Sequence, residues 1–140
     1  MSVGRICTRI VELAEPEESV RSAARRMVGR RVGTLIVTDT SRRPIGLVTD
    51  RDLVARVLAE GMSGDETPVA EVMTRAPATV DEETPIERAL MLMRAHAVRR
   101  LPVVGGDGVL IGLVSLDDIL SLLAEEFREI GTLIEKEMPK

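Results

Sequence analysis

The chain has 140 residues, 44% hydrophobic and 30% charged, a balance typical of one folded domain or of two tightly fused small repeats. Its formal net charge of −4 argues against a general nucleic-acid binder, which usually carries an excess of basic residues. The single cysteine, Cys7, excludes an internal disulfide, and the single histidine, His96, excludes most histidine-based metal sites.

The N-terminal segment lacks the long apolar stretch of a signal peptide, and no apolar run approaches the roughly 18 residues that a membrane helix needs. We therefore expect a soluble, cytoplasmic protein without contact to a membrane. Phe127 is the only aromatic residue, so the chain has no aromatic platform for single-stranded nucleic acid.

The chain repeats itself, because a shift of 66 residues aligns its two halves without a gap. The aligned identities run from the first segment to the last helix: Thr8-Arg9 on Thr74-Arg75, Ala23 on Ala89, Met27 on Met93, Val32 on Val98, Leu35 on Leu101, Val37 on Val103, Gly46-Leu47-Val48 on Gly112-Leu113-Val114, and Asp52 on Asp118. Such a register indicates an internal duplication.

The first half predicts a helix, two strands and a second helix. Its first helix carries an apolar stripe at helical spacing, formed by Val20, Ala23, Ala24, Met27 and Val28. Strands over 34–37 and 45–48 flank a polar turn at 39–44 and indicate a hairpin. The second helix carries Leu53, Val54, Val57 and Leu58 on its apolar face.

The second half predicts the same series. Thr84 is expected to cap its first helix with Pro85 at the first helical position, and the stripe comprises Ile86, Ala89, Leu90, Met93 and Ala97. Strands over 101–104 and 109–114 flank a glycine-rich turn at 105–108, which suits a hairpin. The last helix places Ile119, Leu120, Leu123 and Phe127 on its apolar face.

These elements predict an α/β (α+β) fold in which two pseudo-symmetric β-α-β-β-α repeats pack sheet to sheet. The expected boundaries are 6–60 for the first repeat, 61–71 for a linker, 72–126 for the second repeat and 127–140 for a helical tail. The spacing of Phe127, Ile130 and Ile134 suggests that the tail docks on the module or on a partner.

Each half has a hydroxyl residue followed three positions later by a carboxylate, where the last strand meets the last helix. These pairs are Thr49 with Asp52 and Ser115 with Asp118. One interpretation is structural, since the spacing is that of a capping box. The other is functional, because such a carboxylate can accept hydrogen bonds from the vicinal hydroxyls of ribose. Arg51, Arg99 and Arg100 would then neutralise a phosphate.

At these residues the chain resembles a known family. The tandem, with Gly-Leu-Val-Thr-Asp-Arg-Asp-Leu at 46–53, Glu-Val-Met-Thr at 71–74 and Val-Arg-Arg-Leu-Pro-Val-Val at 98–104, is similar to a pair of cystathionine-β-synthase (CBS) domains, the Bateman module. The resemblance covers about residues 6–126. It implies clefts between the repeats that bind adenosyl compounds (AMP, ADP, ATP or S-adenosylmethionine), without a required cofactor, and a homodimer that regulates another protein.

The resemblance also assigns site residues by position. It implies ribose contacts at Asp52 and Asp118, sugar or phosphate contacts at Thr49, Ser115, Arg51, Arg99 and Arg100, and an adenine pocket at Thr79, Val80 and Val103. The two halves differ, because Gly33-Thr34 stands where the second half has Arg99-Arg100, and Leu116-Asp117 stands where the first half has Asp50-Arg51. The occupancy of both clefts is therefore left open.

Three functions compete at this point. The leading hypothesis is a regulatory module that binds adenine nucleotides or other adenosyl ligands. The second is a structural dimerisation or protein-interaction module without a working ligand site. Catalysis is not expected, since no nucleophile–base pair or metal cluster can be argued. Arg25-Arg26 and Arg30-Arg31 could contact nucleic acid, although a solvated helix face is the expected role, as a surface or capping role is for His96 and an apolar packing role for Cys7.

Overall fold

The computed structural model describes residues 1–138, and each half of the chain forms one small sheet. The elements of the first half are β1 (Leu13–Ala14), α1 (Val20–Arg30), β2 (Thr34–Thr38), β3 (Pro44–Thr49) and α2 (Asp50–Leu53), which continues as a π-helical turn over Val54–Leu58. Then follow β4 (Thr74–Arg75), β5 (Val80–Asp81), α3 (Ile86–His96), β6 (Arg100–Val104), β7 (Leu110–Ser115) and α4 (Leu116–Glu137). Short 3-10 turns lie at Val3–Arg5 and Val69–Glu71.

The first helices of the two halves end alike. Helix α1 is followed by Arg31 at φ 56°, and α3 is followed by Ala97, its partner at the 66-residue shift, at φ 53°. Their starts differ from each other. Ser19 caps α1 by accepting a hydrogen bond from the Ser22 amide at 3.1 Å.

The expected cap at Thr84 is wrong. Helix α3 begins at Ile86, with Pro85 at the N-cap position and no side-chain cap. The hydroxyl of Thr84 instead donates to Asp81 Oδ1 at 3.0 Å and accepts from the Asp81 amide at 3.1 Å. The turn that precedes the helix therefore uses the hydroxyl that the sequence pattern assigned to the cap.

Two hairpins form the centre of the sheets and match the prediction. Strands β2 and β3 pair antiparallel with Thr34 opposite Thr49, and β6 and β7 pair antiparallel with Arg100 opposite Ser115. Both hairpins have a register shift near their turn. Gly108 adopts φ 82° in the second turn, a conformation that glycine accepts without a steric penalty.

The segments that enter each repeat pair with the opposite repeat. Strand β4 adds to β3, which gives the order β1-β2-β3-β4, and the other sheet has the order β5-β6-β7. The symmetric contact is a bridge between Thr8 and Leu113 on the far side of β7. These exchanged strands tie the two halves together.

Packing follows the same exchange. The Val3 amide donates to Thr84 O at 2.9 Å, and the Val69 amide donates to Glu18 O at the same distance. Val3 is buried in the core of the second half, whereas Val69 is buried in the core of the first. Since Val69 lies within 61–71, part of the expected linker is a core segment of the first half.

The two sheets pack face to face through a third apolar cluster. Ile36 and Leu47 of the first sheet contact Leu110 of the second, with Val11, Leu13 and Leu113 at the margin. The remaining cores lie between each sheet and its helices. This arrangement confirms the predicted mixed α/β fold of two pseudo-symmetric repeats.

The expected burial of the second helices is largely wrong. Val57 and Ile119 are buried, but Val54, Leu58, Leu120, Leu123 and Phe127 of the same predicted faces are exposed. The reason is geometric, because α2 is a single turn that widens into a π-helical turn. Helix α4, in turn, has no buried residue after Ile119.

Candidate functional site

Two clefts lie between the repeats. The larger one has a volume of about 600 Å³ and is lined by residues from β3, α2, the segment 74–78 and the segment 96–101. The smaller one has a volume of about 350 Å³ and is lined by Thr8, Ile10, Val11, Glu12, residues 31–34, Arg100, Leu113, Ser115 and Asp118. Both volumes fall in the range of small-molecule sites.

The clefts are related by the internal duplication. Thr49 and Asp52 of the large cleft correspond to Ser115 and Asp118 of the small cleft at the 66-residue shift. Thr34 and Arg100 also correspond to each other, and each of them lines both clefts. The clefts therefore meet where β2 and β6 begin.

The hydroxyl–carboxylate pairs form complete capping boxes, which confirms the structural interpretation. Asp52 Oδ2 accepts from the Thr49 amide at 2.8 Å, while Thr49 Oγ1 accepts from the Asp52 amide at 3.1 Å. Asp118 Oδ2 and Ser115 Oγ make the same pair of bonds at 2.9 and 3.0 Å. The cap leaves the Oδ1 atom of each aspartate for other donors. Asp52 Oδ1 is 3.9 Å from the guanidinium of Arg56.

The predicted arginines converge on the large cleft. Arg51, Arg99 and Arg100 all line it. Arg99 lies 3.7 Å from Asp117, but both side chains are more than two-thirds exposed, so this pair contributes little. Arg75, which the sequence analysis did not single out, also lines this cleft and donates to Ala70 O at 3.0 Å.

Neither cleft is lined by Thr79, Val80 or Val103, the residues expected to form an adenine pocket. Val103 is fully buried and Val80 is 4% exposed, and both lie in the core of the second half, where they pair across β5 and β6. Their side chains therefore do not form a cleft wall, and the expectation for Val103 is corrected. Thr79 is exposed beside this segment.

Sequence reasoning missed the apolar lining of the clefts. Ala76, Pro77 and Ala78 line the large cleft, and their counterparts Ile10, Val11 and Glu12 line the small one. The signal that could have revealed them is the 66-residue shift, because residues 10–12 and 76–78 directly follow the aligned pairs Thr8-Arg9 and Thr74-Arg75.

The structure also shows where His96, Cys7 and Arg26 lie. His96 is exposed and lines the large cleft. Cys7 packs against the second core, and burial raises the pKa of its thiol above the ordinary value. Arg26 donates to Leu13 O at 2.7 Å and pairs with Glu18, so it is not part of a free basic patch.

Within residues 1–138, no cluster of three or more His, Cys, Asp or Glu side chains could hold a metal ion. Across the same residues, no helix has the length and apolar character needed to cross a membrane.

Two β-α-β-β-α repeats with exchanged entry segments and two clefts between them define a class of tandem-repeat modules. The sequence profile of the CBS domain matches the chain twice, at residues 3–59 and 69–125, and the chain belongs to this family. The resemblance found from the sequence is thus confirmed.

Known proteins agree with this assignment. An uncharacterized protein of Methanopyrus kandleri is 34% identical over the whole chain, which covers 69% of that protein. A putative signal-transduction protein with CBS domains from Burkholderia ambifaria superposes with a TM-score of 0.80 at 29% identity, with 88% and 93% of the two chains covered. The CBS domain pair of protein MJ0100, solved with 5′-methylthioadenosine and S-adenosylmethionine, has a TM-score of 0.80 at 24% identity, with 90% and 98% covered.

Proposed function

We propose that the chain is a non-catalytic regulatory module that binds adenosyl ligands (AMP, ADP, ATP or S-adenosylmethionine) in the clefts between its two CBS repeats. The observation that carries the proposal is the pair of symmetry-related clefts, each with a carboxylate held at the start of a helix. The proposal also includes a homodimer and a regulated protein that reads the bound state.

The chemistry of each cleft fits the parts of an adenosyl group. The Oδ1 atoms of Asp52 and Asp118 are not used by the caps and can accept hydrogen bonds from the ribose hydroxyls, while the cap keeps each carboxylate in place. The planar guanidinium groups of Arg51, Arg99 and Arg100 match phosphate oxygens. The small apolar side chains at 76–78 leave room for a flat base.

A catalytic role has little support in either cleft. The hydroxyl groups of Thr49 and Ser115 act as cap acceptors, and the neighbouring carboxylates are bonded to backbone amides. Neither pair is arranged as a nucleophile with its general base. Binding energy is therefore available for signalling, since a ligand that prefers one arrangement of the repeats tenfold shifts the equilibrium by about 1.4 kcal/mol.

Removing either aspartate is expected to disable one cleft. Asp52→Ala and Asp118→Ala should each weaken the binding of AMP in their own cleft at least tenfold, because hydrogen bonds to a charged group contribute about 1.5–3 kcal/mol. Isothermal titration measures the affinity and the number of sites. Asp65→Ala is the matched control, because Asp65 lies on the surface in a pair with Arg21. Unchanged AMP affinity in both cleft variants would contradict the ribose assignment.

The homodimer is supported by an apolar stripe on α4. Its members follow a 3.5-residue period, which is typical of a helix–helix seam: Leu120, Leu123, Phe127, Ile130 and Ile134. Phe127 is 72% exposed, and Ile130 and Ile134 are more than half exposed. An exposed apolar stripe with this period fits the same stripe on another helix, so a second copy of α4 is the proposed partner.

Charges placed on this stripe are expected to separate the dimer. Ile130→Glu combined with Ile134→Glu should weaken self-association at least tenfold, because each buried carboxylate would lose its hydration. Sedimentation velocity at several concentrations measures the change. Ser121→Glu with Thr132→Glu adds the same charge away from the seam and should leave the dimer intact. If the variant with Ile130→Glu and Ile134→Glu still forms the same dimer, the apolar stripe is not part of the interface.

The interaction module remains the second candidate function, because the exposed stripe on α4 needs no ligand in either cleft. That function predicts self-association that ignores adenosyl compounds.

A further inference from the structure

We propose that the two clefts bind different classes of adenosyl ligand. The large cleft takes nucleotides with phosphate groups, and the small cleft takes adenosyl compounds whose 5′ substituent carries no net negative charge. This inference rests on the proposed function and assigns a ligand class to each of its two sites.

The charge of the large cleft favours anions. Four arginines and two aspartates line it: Arg51, Arg75, Arg99, Arg100, Asp50 and Asp52. The side chains therefore carry two more positive than negative charges. Because Asp52 is committed to its cap and would face the ribose, the arginines remain for a chain of phosphates.

The small cleft has no excess of positively charged side chains. Its charged residues are Arg31, Arg100, Glu12 and Asp118, so their charges cancel. The substitutions responsible are visible across the 66-residue shift, where Gly33 replaces Arg99 and Leu116-Asp117 replaces Asp50-Arg51. Arg31 stands where the large cleft has Ala97 and adds one arginine, so the small cleft is lined by two arginines and the large cleft by four.

Glu12 sets the small cleft apart most clearly. It stands where the large cleft has Ala78, so a carboxylate replaces a methyl group in the lining. Its side chain is only 28% exposed, and its nearest cation, Arg30, is 3.7 Å away. A partly buried carboxylate is screened less than a surface one, so Glu12 repels a phosphate and tolerates a neutral or cationic substituent.

Arg100 lines both clefts, and this position is compatible with different ligand classes in the two clefts. Its guanidinium can serve one phosphate chain at a time, and the large cleft offers three further arginines to hold that chain. Size acts in the same direction, because the small cleft has little more than half the volume of the large one.

The test uses ATP and the uncharged 5′-methylthioadenosine as probes, titrated calorimetrically into ligand-free full-length protein. Wild type is compared with Arg51→Gln/Arg99→Gln and with the control Arg25→Gln/Arg88→Gln, which removes the same charge from exposed helix positions outside both clefts. We expect one ATP per chain, and one 5′-methylthioadenosine still bound by ATP-saturated protein. The cleft variant should weaken ATP at least tenfold and change the 5′-methylthioadenosine affinity of the small cleft less than twofold, while the control should change neither.

A gain-of-function variant provides an independent check. Glu12→Ala gives the small cleft the residue of its counterpart and is expected to raise the ATP stoichiometry above one per chain. The division of ligands is wrong if ATP fills both clefts of the wild type equally, if ATP displaces all 5′-methylthioadenosine, or if the cleft and control variants behave alike. Those outcomes leave the adenosyl function intact. If neither probe binds wild type, the proposed function fails together with the inference.

Discussion

Replacing Leu101 by alanine is expected to lower the free energy of unfolding by about 2–5 kcal/mol, the range for truncating a buried leucine. Leu101 is 1% exposed in the core of the second half, and it also lines the large cleft. It lies at the start of β6, beside Arg100. The variant should therefore lose stability because it leaves a cavity in the second core.

Chemical denaturation at a fixed protein concentration measures this loss, with the concentration held constant because a dimer makes stability depend on it. Met91→Ala is the control, since Met91 is 57% exposed on α3 and its truncation should change stability by no more than about 0.5 kcal/mol. Equal effects of the two substitutions would show that the second core does not pack as described.

Gly112→Ala is expected to destabilise the protein by about 1–3 kcal/mol, the usual range for overpacking. A Cβ atom at this position would lie 2.5 Å from the carbonyl oxygen of Thr8. That carbonyl accepts a hydrogen bond from the Leu113 amide at 2.9 Å. Since backbone on both sides is fixed by this bridge, the methyl group must push the exchanged entry segment away from β7.

Gly106 and Gly46 provide comparisons for Gly112. Gly106, in the turn of the same hairpin, has no atom within 4 Å of an added Cβ, so Gly106→Ala should have little effect. Gly46 is the counterpart of Gly112, but its added Cβ would meet the flexible side chain of Met73. Thermal unfolding should thus rank Gly112→Ala as the most destabilising of the three. A harmless Gly112→Ala would contradict the close approach of Thr8 to β7.

Much of the fold could be predicted because its signals are local. Helix α1 and the two hairpins follow from residue periodicity and turn composition, although Val28 of the predicted α1 stripe is 80% exposed. The capping boxes follow from the three-residue spacing of Thr49 and Asp52. The duplication then placed the same elements in the second half.

The exchange of the entry segments could not be read in this way. The 66-residue alignment pairs Val3 with Val69, but it does not say into which core each residue packs. That choice is set by long-range pairing of β4 with β3. Helical spacing likewise placed Leu120 and Phe127 on the apolar face of the last helix, whereas both are exposed and α4 packs against the second core only as far as Leu122. An apolar stripe on a helix predicts that this face of the helix will be covered. It does not predict which surface covers it.

The candidate site was predictable in its polar residues and less so in its walls. Asp52 and Asp118 lie at helix starts that their three-residue spacing from Thr49 and Ser115 predicts. The burial of Val103 and the position of Arg100 between both clefts depend on how the two sheets face each other. No local pattern carries that information.

The binding of adenosyl ligands in the clefts is tested by a calorimetric titration of AMP, ADP, ATP and S-adenosylmethionine into protein freed of bound ligand by unfolding and refolding. Freeing the protein matters because a nucleotide carried through purification would mask the sites. We expect binding of at least one of these compounds with a dissociation constant near the micromolar level, about −8 kcal/mol, and its loss in Asp52→Ala or Asp118→Ala. The absence of heat from all four compounds, in protein that has regained its folded state, would contradict it and leave self-association through α4 as the function.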